Sequence, residues 1–103
     1  MPRKRVAKSR ESVVDFEQIP NVGPRIAEDF RRLRIGHPHH LAGTDPYGLY
    51  ERLNVLAGTR QDPCVLDTFI AAVRYMEGAP KTPWWKYTRE RKRRLRANHI
   101  VAK

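Results

Sequence analysis

The stretch IPNVGPR, residues 19–25, decides the fold, because it places two prolines and a glycine within seven residues of a chain that has six glycines in all. A residue ahead of a proline is pushed out of the helical region, so Ile19 belongs to the end of the preceding segment. Pro24 suits the first position of a helix, where its missing N–H costs nothing. The sequence therefore predicts a sharp turn followed directly by a helix over about 24–34.

Outward from this turn, the spacing of apolar residues predicts helices and no sheet. A short helix is predicted from Glu11 towards Pro20, a helical turn over Pro38–Leu41, and two longer helices that begin at residues 45–46 and 62–63 and end at Gly58 and Gly78. The predicted class is thus a compact all-α domain of four to five helices. The inward-facing residues are predicted to be Val13 and Phe16, with Val14 as a further candidate, then Ile26, Phe30, Leu33, Leu49, Leu53, Leu56, Val65, Leu66, Phe69, Ile70, Val73 and Met76.

A weak internal repeat at an offset of 22 residues predicts two similar helix–turn–helix units. Ile19, Asn21 and Pro24 correspond to Leu41, Gly43 and Pro46. The longest helix is predicted to lie across both units and to share one core with them.

The two turns differ at the residue that begins the following helix. Asp45 and Asp62 each supply a carboxylate that can accept the first free amides of their helices, whereas Gly23 supplies nothing. A helix N-terminus carries unpaired N–H groups and about half a positive charge. With Arg25 one residue further, the sequence predicts an open anion site of the kind that binds phosphate.

The stretch IPNVGPRIAEDF, residues 19–30, resembles the helix-hairpin-helix motif, with Asn21 where a glycine is usual. Asn tolerates a left-handed backbone, so the turn is expected to form. The resemblance implies that backbone amides around Asn21, Val22, Gly23 and Arg25, with the Arg25 side chain, hold a DNA phosphate. It also implies that the carbonyls of Ile19 and Val22 are candidates for a monovalent cation. The second turn, around Gly43 to Asp45, is expected to be structural, because Asp45 would repel a phosphate.

A wider resemblance covers residues 13–88, through IPNVGPRIAEDFRRLRIG, DPCVLDTFIAAVRYMEG and PWWKYT. Together these segments resemble the small bacterial pathogenicity locus family, also called mitomycin-resistance proteins. That family is similar to the paired, SAM-like helix-hairpin-helix domains of DNA-repair proteins. The resemblance implies an all-α domain with two such units.

The net charge of +10 is carried by the ends of the chain. Residues 1–10 hold five cations and no acid, and residues 81–103 hold nine cations against one acid, whereas residues 11–80 carry a charge of −3. We interpret residues 1–10 as a disordered basic arm, 11–87 as the domain and 88–103 as a basic tail with helical potential. Repulsion within RERKRRLRA, residues 89–97, predicts a frayed helix until an anion neutralises it. Its candidate phosphate contacts are Arg89, Arg91, Lys92, Arg93 and Arg94.

Two aromatic residues in PWWKY, residues 83–87, leave two interpretations open. Trp84 and Trp85 beside Lys86 can stack on unpaired bases, or they can pack over a small core with one ring exposed. Packing is the favoured interpretation.

Catalytic and metal chemistry find little support in the sequence. The histidines of HPHH, residues 37–40, and the single Cys64 lack the spacing of a zinc site. Cys64 is expected to be a buried or half-buried thiol. Its position near a helix start could lower its pKa. No nucleophile elbow, phosphate loop or deaminase signature occurs, so no enzyme and no cofactor is predicted. No stretch is apolar enough for a signal peptide or membrane span, and a cytoplasmic setting, at the nucleoid in a bacterium, is expected.

The predicted function is sequence-independent DNA binding in repair or damage resistance, through one hairpin and the basic tails. The alternative is a non-enzymatic adaptor that docks on a repair or regulatory protein, with a purely structural hairpin.

Overall fold

The computed structural model describes residues 9–101, with the side chains of residues 9–96. Within this range the regular structure is entirely helical, which confirms the all-α prediction. The four helices are α1 (Pro24–Arg32), α2 (Pro46–Ala57), α3 (Pro63–Met76) and α4 (Thr88–Val101), joined by 3₁₀ turns at Arg10–Ser12, Phe16–Gln18, Pro38–Leu41 and Trp84–Tyr87. Of the predicted basic arm, residues 1–8 lie outside the described residues.

The segment from Glu11 is not the predicted helix, because its own side chains satisfy the backbone amides that a helix would use. Asp15 accepts a hydrogen bond from the amide of Glu17 at 3.0 Å. The Gln18 Oε1 atom accepts from the amides of Val14 and Asp15 at 2.8 and 3.0 Å. These local bonds favour two short 3₁₀ turns over a continuous helix. Val13 and Phe16 are nevertheless buried as predicted, whereas Val14 is exposed.

The core is centred on α3, whose six predicted apolar residues are all buried. The rings of Phe16 and Phe30 lie 5.4 Å apart, and those of Phe30 and Phe69 lie 5.0 Å apart. This aromatic row joins the N-terminal segment to α1 and α1 to α3. Burial of such rings supplies a large share of the apolar area in a domain of this size.

The last turn of α2 differs from its prediction. Leu49 and Leu53 are buried as expected, and Tyr47 and Tyr50 complete that face. Leu56 continues the face by one turn but is 54% exposed, beside Val55 at 80%. The spacing predicted the face correctly but could not show that α2 extends beyond the elements that cover it.

The two predicted turns have similar backbone geometry, whereas the segment before each of them is a 3₁₀ turn. Asn21 and Gly43, which are 22 residues apart, have φ angles of 74° and 83°. In each turn the amide that follows this residue donates to a carbonyl three residues earlier, Val22 to Ile19 at 3.1 Å and Thr44 to Leu41 at 3.0 Å. Both turns lead into a helix whose first residue is proline.

The left-handed conformation of Asn21 yields a stability prediction. Its side-chain Nδ2 also donates to the carbonyl of Thr82 at 2.8 Å, which ties the first turn to the segment before α4. We expect Asn21→Ala to lower the free energy of unfolding by about 1–2 kcal/mol, because Ala disfavours a positive φ and cannot make this bond. Asn21→Gly removes the steric cost and should stay within about 1 kcal/mol of the parent protein. Urea denaturation measures both, and equal losses in the two variants would contradict the backbone argument.

Candidate nucleic-acid interface

The N-terminus of α1 is open, as its sequence predicted. Gly23 occupies the N-cap position with an extended backbone (φ −96°, ψ −172°), and no side chain caps the helix. A Cβ placed on Gly23 would meet no atom within 4 Å beyond its chain neighbours, so the described residues leave room for a side chain at this position. A bulky oxyanion can therefore reach the first free amides of α1.

The other two helix starts compared in the sequence are occupied by carboxylates. Asp45 accepts from the amide of Tyr47 at 3.0 Å, and Asp62 accepts from that of Cys64 at 2.8 Å. In the second turn, the amide of Gly43 also donates to Glu77 at 2.9 Å. This confirms that the second turn is internally satisfied and that the first differs from it in being uncapped.

The side chains around the first turn have distinct surroundings. Arg25 is exposed, and its Nη2 atom lies 3.3 Å from Oε1 of Gln61, a neutral partner that leaves its charge available. Val22 is buried, so only its backbone can contact a ligand. The carbonyl of Ile19 accepts the amide of Val22 within the turn. Its proposed share in a monovalent-cation site stays a prediction.

Asp29 lies one helical turn after Arg25 and is the one buried side chain of residues 9–96 with an unpartnered polar atom, Oδ2. Burial raises the pKa of this carboxyl, and the nearby charges of Arg25 and Arg32 oppose that shift. Asp29 is buried, whereas Arg25, four residues earlier on the same side of α1, is exposed. We assign it no binding role.

Helix α4 separates its charges onto two faces. Arg89, Lys92, Arg93 and Arg96 are exposed and are spaced i, i+3, i+4 and i+7, so they form one stripe. Of the residues between them, Glu90, Arg91 and Leu95 are partly buried and contact the core or α3, whereas Arg94 is exposed. The predicted fraying is therefore not observed over residues 88–96, because contacts on the inward face offset the repulsion along the stripe.

The inward face is anchored on Asp67 of α3, whose side chain is fully buried. Arg91 binds it through Nε at 2.7 Å and Nη2 at 3.4 Å, and the hydroxyl of Thr88 donates to its Oδ2 atom at 2.6 Å. The side chain of Arg91 is only 13% exposed. Arg91, a candidate phosphate contact, is thus paired with a buried carboxylate of the fold, and its contact with phosphate stays a prediction.

A second set of contacts holds α4 against α2 and α3. Glu90 accepts from Arg74 at 2.7 Å and from the hydroxyl of Tyr47 at 3.3 Å. The guanidinium of Arg94 lies 4.5 Å from the centre of the Tyr47 ring. Burial, and secondarily the Glu90 carboxylate, raise the pKa of Tyr47 to about 12. Arg94 is therefore less available for a ligand than the cations of the stripe.

The two tryptophans have different environments, so one ring packs inward and the other is exposed, and stacking on unpaired bases stays a prediction. Their ring centroids are 5.7 Å apart with planes at 86°, an edge-to-face contact. Trp84 is half-buried, whereas Trp85 is 59% exposed. A groove of about 520 Å³ runs along this side of α4. We call it the aromatic–basic face; it is lined by Trp85, Thr88, Arg89, Lys92, Arg93 and Arg96.

Three members of this face, Trp85, Thr88 and Arg96, were missed among the predicted site residues. Arg96 lies one helical turn beyond Arg93 and could have been found from the i+7 spacing. Trp85 lies four residues before Arg89, but its exposure depends on which tryptophan packs inward, and sequence spacing alone does not decide that.

The remaining chemical candidates do not form a site. Cys64 is exposed, contrary to its prediction, and a hydrogen bond with Asp62 raises the pKa of its thiol where the helix dipole alone would lower it. His37 accepts the amide of His39 at 3.2 Å. Among the described residues, no group of three or more His, Cys, Asp and Glu side chains is arranged to hold a metal ion. No helix in the described range is long and apolar enough to cross a membrane.

Comparison with known proteins gives a family match over nearly the whole described part of the chain. Residues 9–93 match the pathogenicity locus family (Cdd1). This chain belongs to the pathogenicity locus family. It is also 47% identical over 81 residues to the mitomycin resistance protein McrB of Streptomyces lavendulae, an alignment that spans 79% of this chain and 77% of that protein. No solved structure matches it.

The region matched to the pathogenicity locus family contains most of the features described above. It includes both turns, the Asp67–Arg91 anchor, Trp85 and the first three cations of the exposed stripe. Arg96 lies just beyond it.

Proposed function

We propose that this protein binds DNA without sequence specificity, through a helix-hairpin-helix turn at residues 19–25 and the basic helix α4. The observation that carries the proposal is the uncapped N-terminus of α1, where Gly23 has no side chain and a Cβ at its position would meet no atom within 4 Å. Amides and a partial positive charge at such an end suit a phosphate oxygen. Arg25 supplies a second contact to the same or the adjacent phosphate.

The cations of α4 supply the long-range attraction that the acidic centre of the chain lacks. The bond from Asn21 to Thr82 holds the first turn next to the segment that leads into α4. Arg25 and Arg91 both lower the pKa of Asp62, after the larger effect of its hydrogen bonds with Cys64, so α1 and α4 both lie near the start of α3. We propose that one DNA backbone contacts the first turn and the exposed stripe of α4, and such contacts carry no base information.

A salt titration tests this proposal. Affinity for a short duplex, measured by fluorescence anisotropy, is expected to fall linearly in log salt with a slope of about 0.9 per phosphate contacted. Three to five contacts, from the first turn and the exposed stripe, predict a slope between about −2.7 and −4.5. Duplexes of unrelated sequence should give the same affinity. No binding at low salt, or a strong preference for one sequence, would overturn the proposal.

The name of the Streptomyces lavendulae relative refers to resistance to mitomycin. We propose that this chain likewise serves damage resistance or DNA repair, in the cytoplasm at the nucleoid, by holding DNA and without a catalytic residue of its own. Partners in repair would then bring the chemistry.

The alternative, a protein–protein adaptor, has one observation in its favour. A groove of about 580 Å³ lies between α1 and α2, with exposed Val55 and Leu56 beside three arginines and one acid, namely Arg32, Arg34, Arg52 and Glu51. An apolar floor with a basic rim suits an acidic, apolar segment of a partner. Under this alternative, Val55→Asp abolishes partner binding and the first turn has no ligand.

A further inference from the structure

We infer that the aromatic–basic face of α4 is a binding site for single-stranded DNA, in which an unpaired base stacks on Trp85 while the exposed cations contact the flanking phosphates. This inference rests on the proposed function, which names DNA as the ligand. It deepens that function by specifying that this face binds single-stranded DNA. It uses a surface distinct from the first turn, which contacts phosphate alone.

The exposure of Trp85 is the first observation. Large apolar rings in a small domain are normally recruited to the core, yet this ring is 59% exposed, while its neighbour Trp84 is half-buried. The edge-to-face contact with Trp84 holds the ring in place. Among the described residues, the close cation–ring contacts are those of Arg31 with Phe16 and Arg94 with Tyr47, so the Trp85 ring is not covered by a guanidinium.

The position of the ring relative to the cations is the second observation. Trp85 and the stripe are spaced 85, 89, 92, 93 and 96, which continues one helical face over three turns. At about 1.5 Å per residue the cations extend roughly 10 Å along the groove, enough for two or three nucleotides on one side of the ring. Aromatic rings that stack bases beside a basic track are the usual means of sequence-tolerant single-strand binding.

The preference for unpaired bases follows from the geometry. In a duplex the bases stack on each other, so no base face is free to contact Trp85. A duplex can use only the cations of this face, whereas a single strand gains the ring as well. An anionic membrane would also accept a tryptophan among cations, and the experiment therefore includes a vesicle arm.

The first test compares a single strand with a duplex of the same length on the full chain. We expect Trp85→Ala to weaken binding to oligodeoxythymidylate by about tenfold to a hundredfold and to the duplex by less than about threefold. Trp85→Phe, which keeps a smaller ring, should retain part of the affinity. Because the ring is largely exposed, neither change should disturb the fold, and Val55→Ala, another exposed apolar truncation, serves as the matched control.

The second test uses fluorescence, since the chain contains two tryptophans. Trp84→Phe leaves Trp85 as the single emitter, and Trp85→Phe leaves Trp84. Oligodeoxythymidylate is expected to quench the first variant strongly and the second weakly, because stacking on a base quenches indole emission. Equal quenching in both variants, or none in either, would overturn the assignment of the stacking ring.

The remaining outcomes separate this inference from the proposed function. If Gly23→Asp binds DNA normally while Trp85→Ala loses the single strand selectively, the site on α4 stands and the hairpin proposal fails. If Trp85→Ala weakens binding to the single strand and to the duplex equally, or changes neither, the inference fails and α4 is a general polyanion-binding surface. Quenching of Trp85 by phosphatidylserine vesicles, without quenching by oligodeoxythymidylate, also overturns it.

Discussion

Arg91→Ala is expected to lower the free energy of unfolding by about 3–5 kcal/mol, the cost of removing one partner of a buried ion pair. Asp67 has no exposed surface, and its carboxylate would keep only the hydroxyl of Thr88. The inward face of α4 would lose its main anchor, so helicity measured by circular dichroism should fall along with the midpoint of urea denaturation.

Arg93→Ala is the matched control, because Arg93 lies on the same helix but faces solvent. It removes the same charge and should change stability by no more than about 0.5 kcal/mol. Pairing Arg91→Met with Asp67→Leu removes both charges and should recover much of the loss, because the penalty comes from an unpaired buried charge. Equal stability of the two alanine variants would contradict the anchor.

Gly23→Asp is expected to weaken DNA binding by about tenfold to a hundredfold, which corresponds to one lost charge-assisted contact of about 1.5–3 kcal/mol. The new carboxylate would take the place of the phosphate at the start of α1, as Asp45 and Asp62 do at the starts of α2 and α3. The same change should raise the free energy of unfolding by a few tenths of a kcal/mol, because it caps the helix. The backbone at Gly23 and the space around it accept a side chain without strain.

Two controls separate the effect of position from that of charge. Gly23→Asn supplies a similar cap without the charge, so its loss of affinity should be smaller. Val55→Asp adds the same charge in the groove beside Arg32, at the opposite end of α1, and should leave DNA binding within about threefold of the parent protein. If Val55→Asp and Gly23→Asp weaken binding equally, the open helix start contributes no specific contact.

The sequence predicted helix starts, turn conformation and capping correctly where neighbouring residues alone decide them. The starts of α1, α2 and α3 each coincide with a predicted Pro, because proline has a fixed φ and no N–H to lose. The left-handed backbone at Asn21 followed from the few residue types that tolerate it. The contrast between the bare start at Gly23 and the capped starts at Asp45 and Asp62 also depends on one side chain each.

The sequence by itself thus determined an all-α chain, its turns, its open helix start and its family, since these depend on bonds between residues close along the chain. Only the tertiary structure decided which cations of α4 are free, because Asp67 is 24 residues away from the arginine that it holds. It also decided which tryptophan is exposed and that Leu56 lies beyond the covered part of α2. Burial and ion pairing depend on which distant segments meet, and periodicity gives only the direction in which a side chain points.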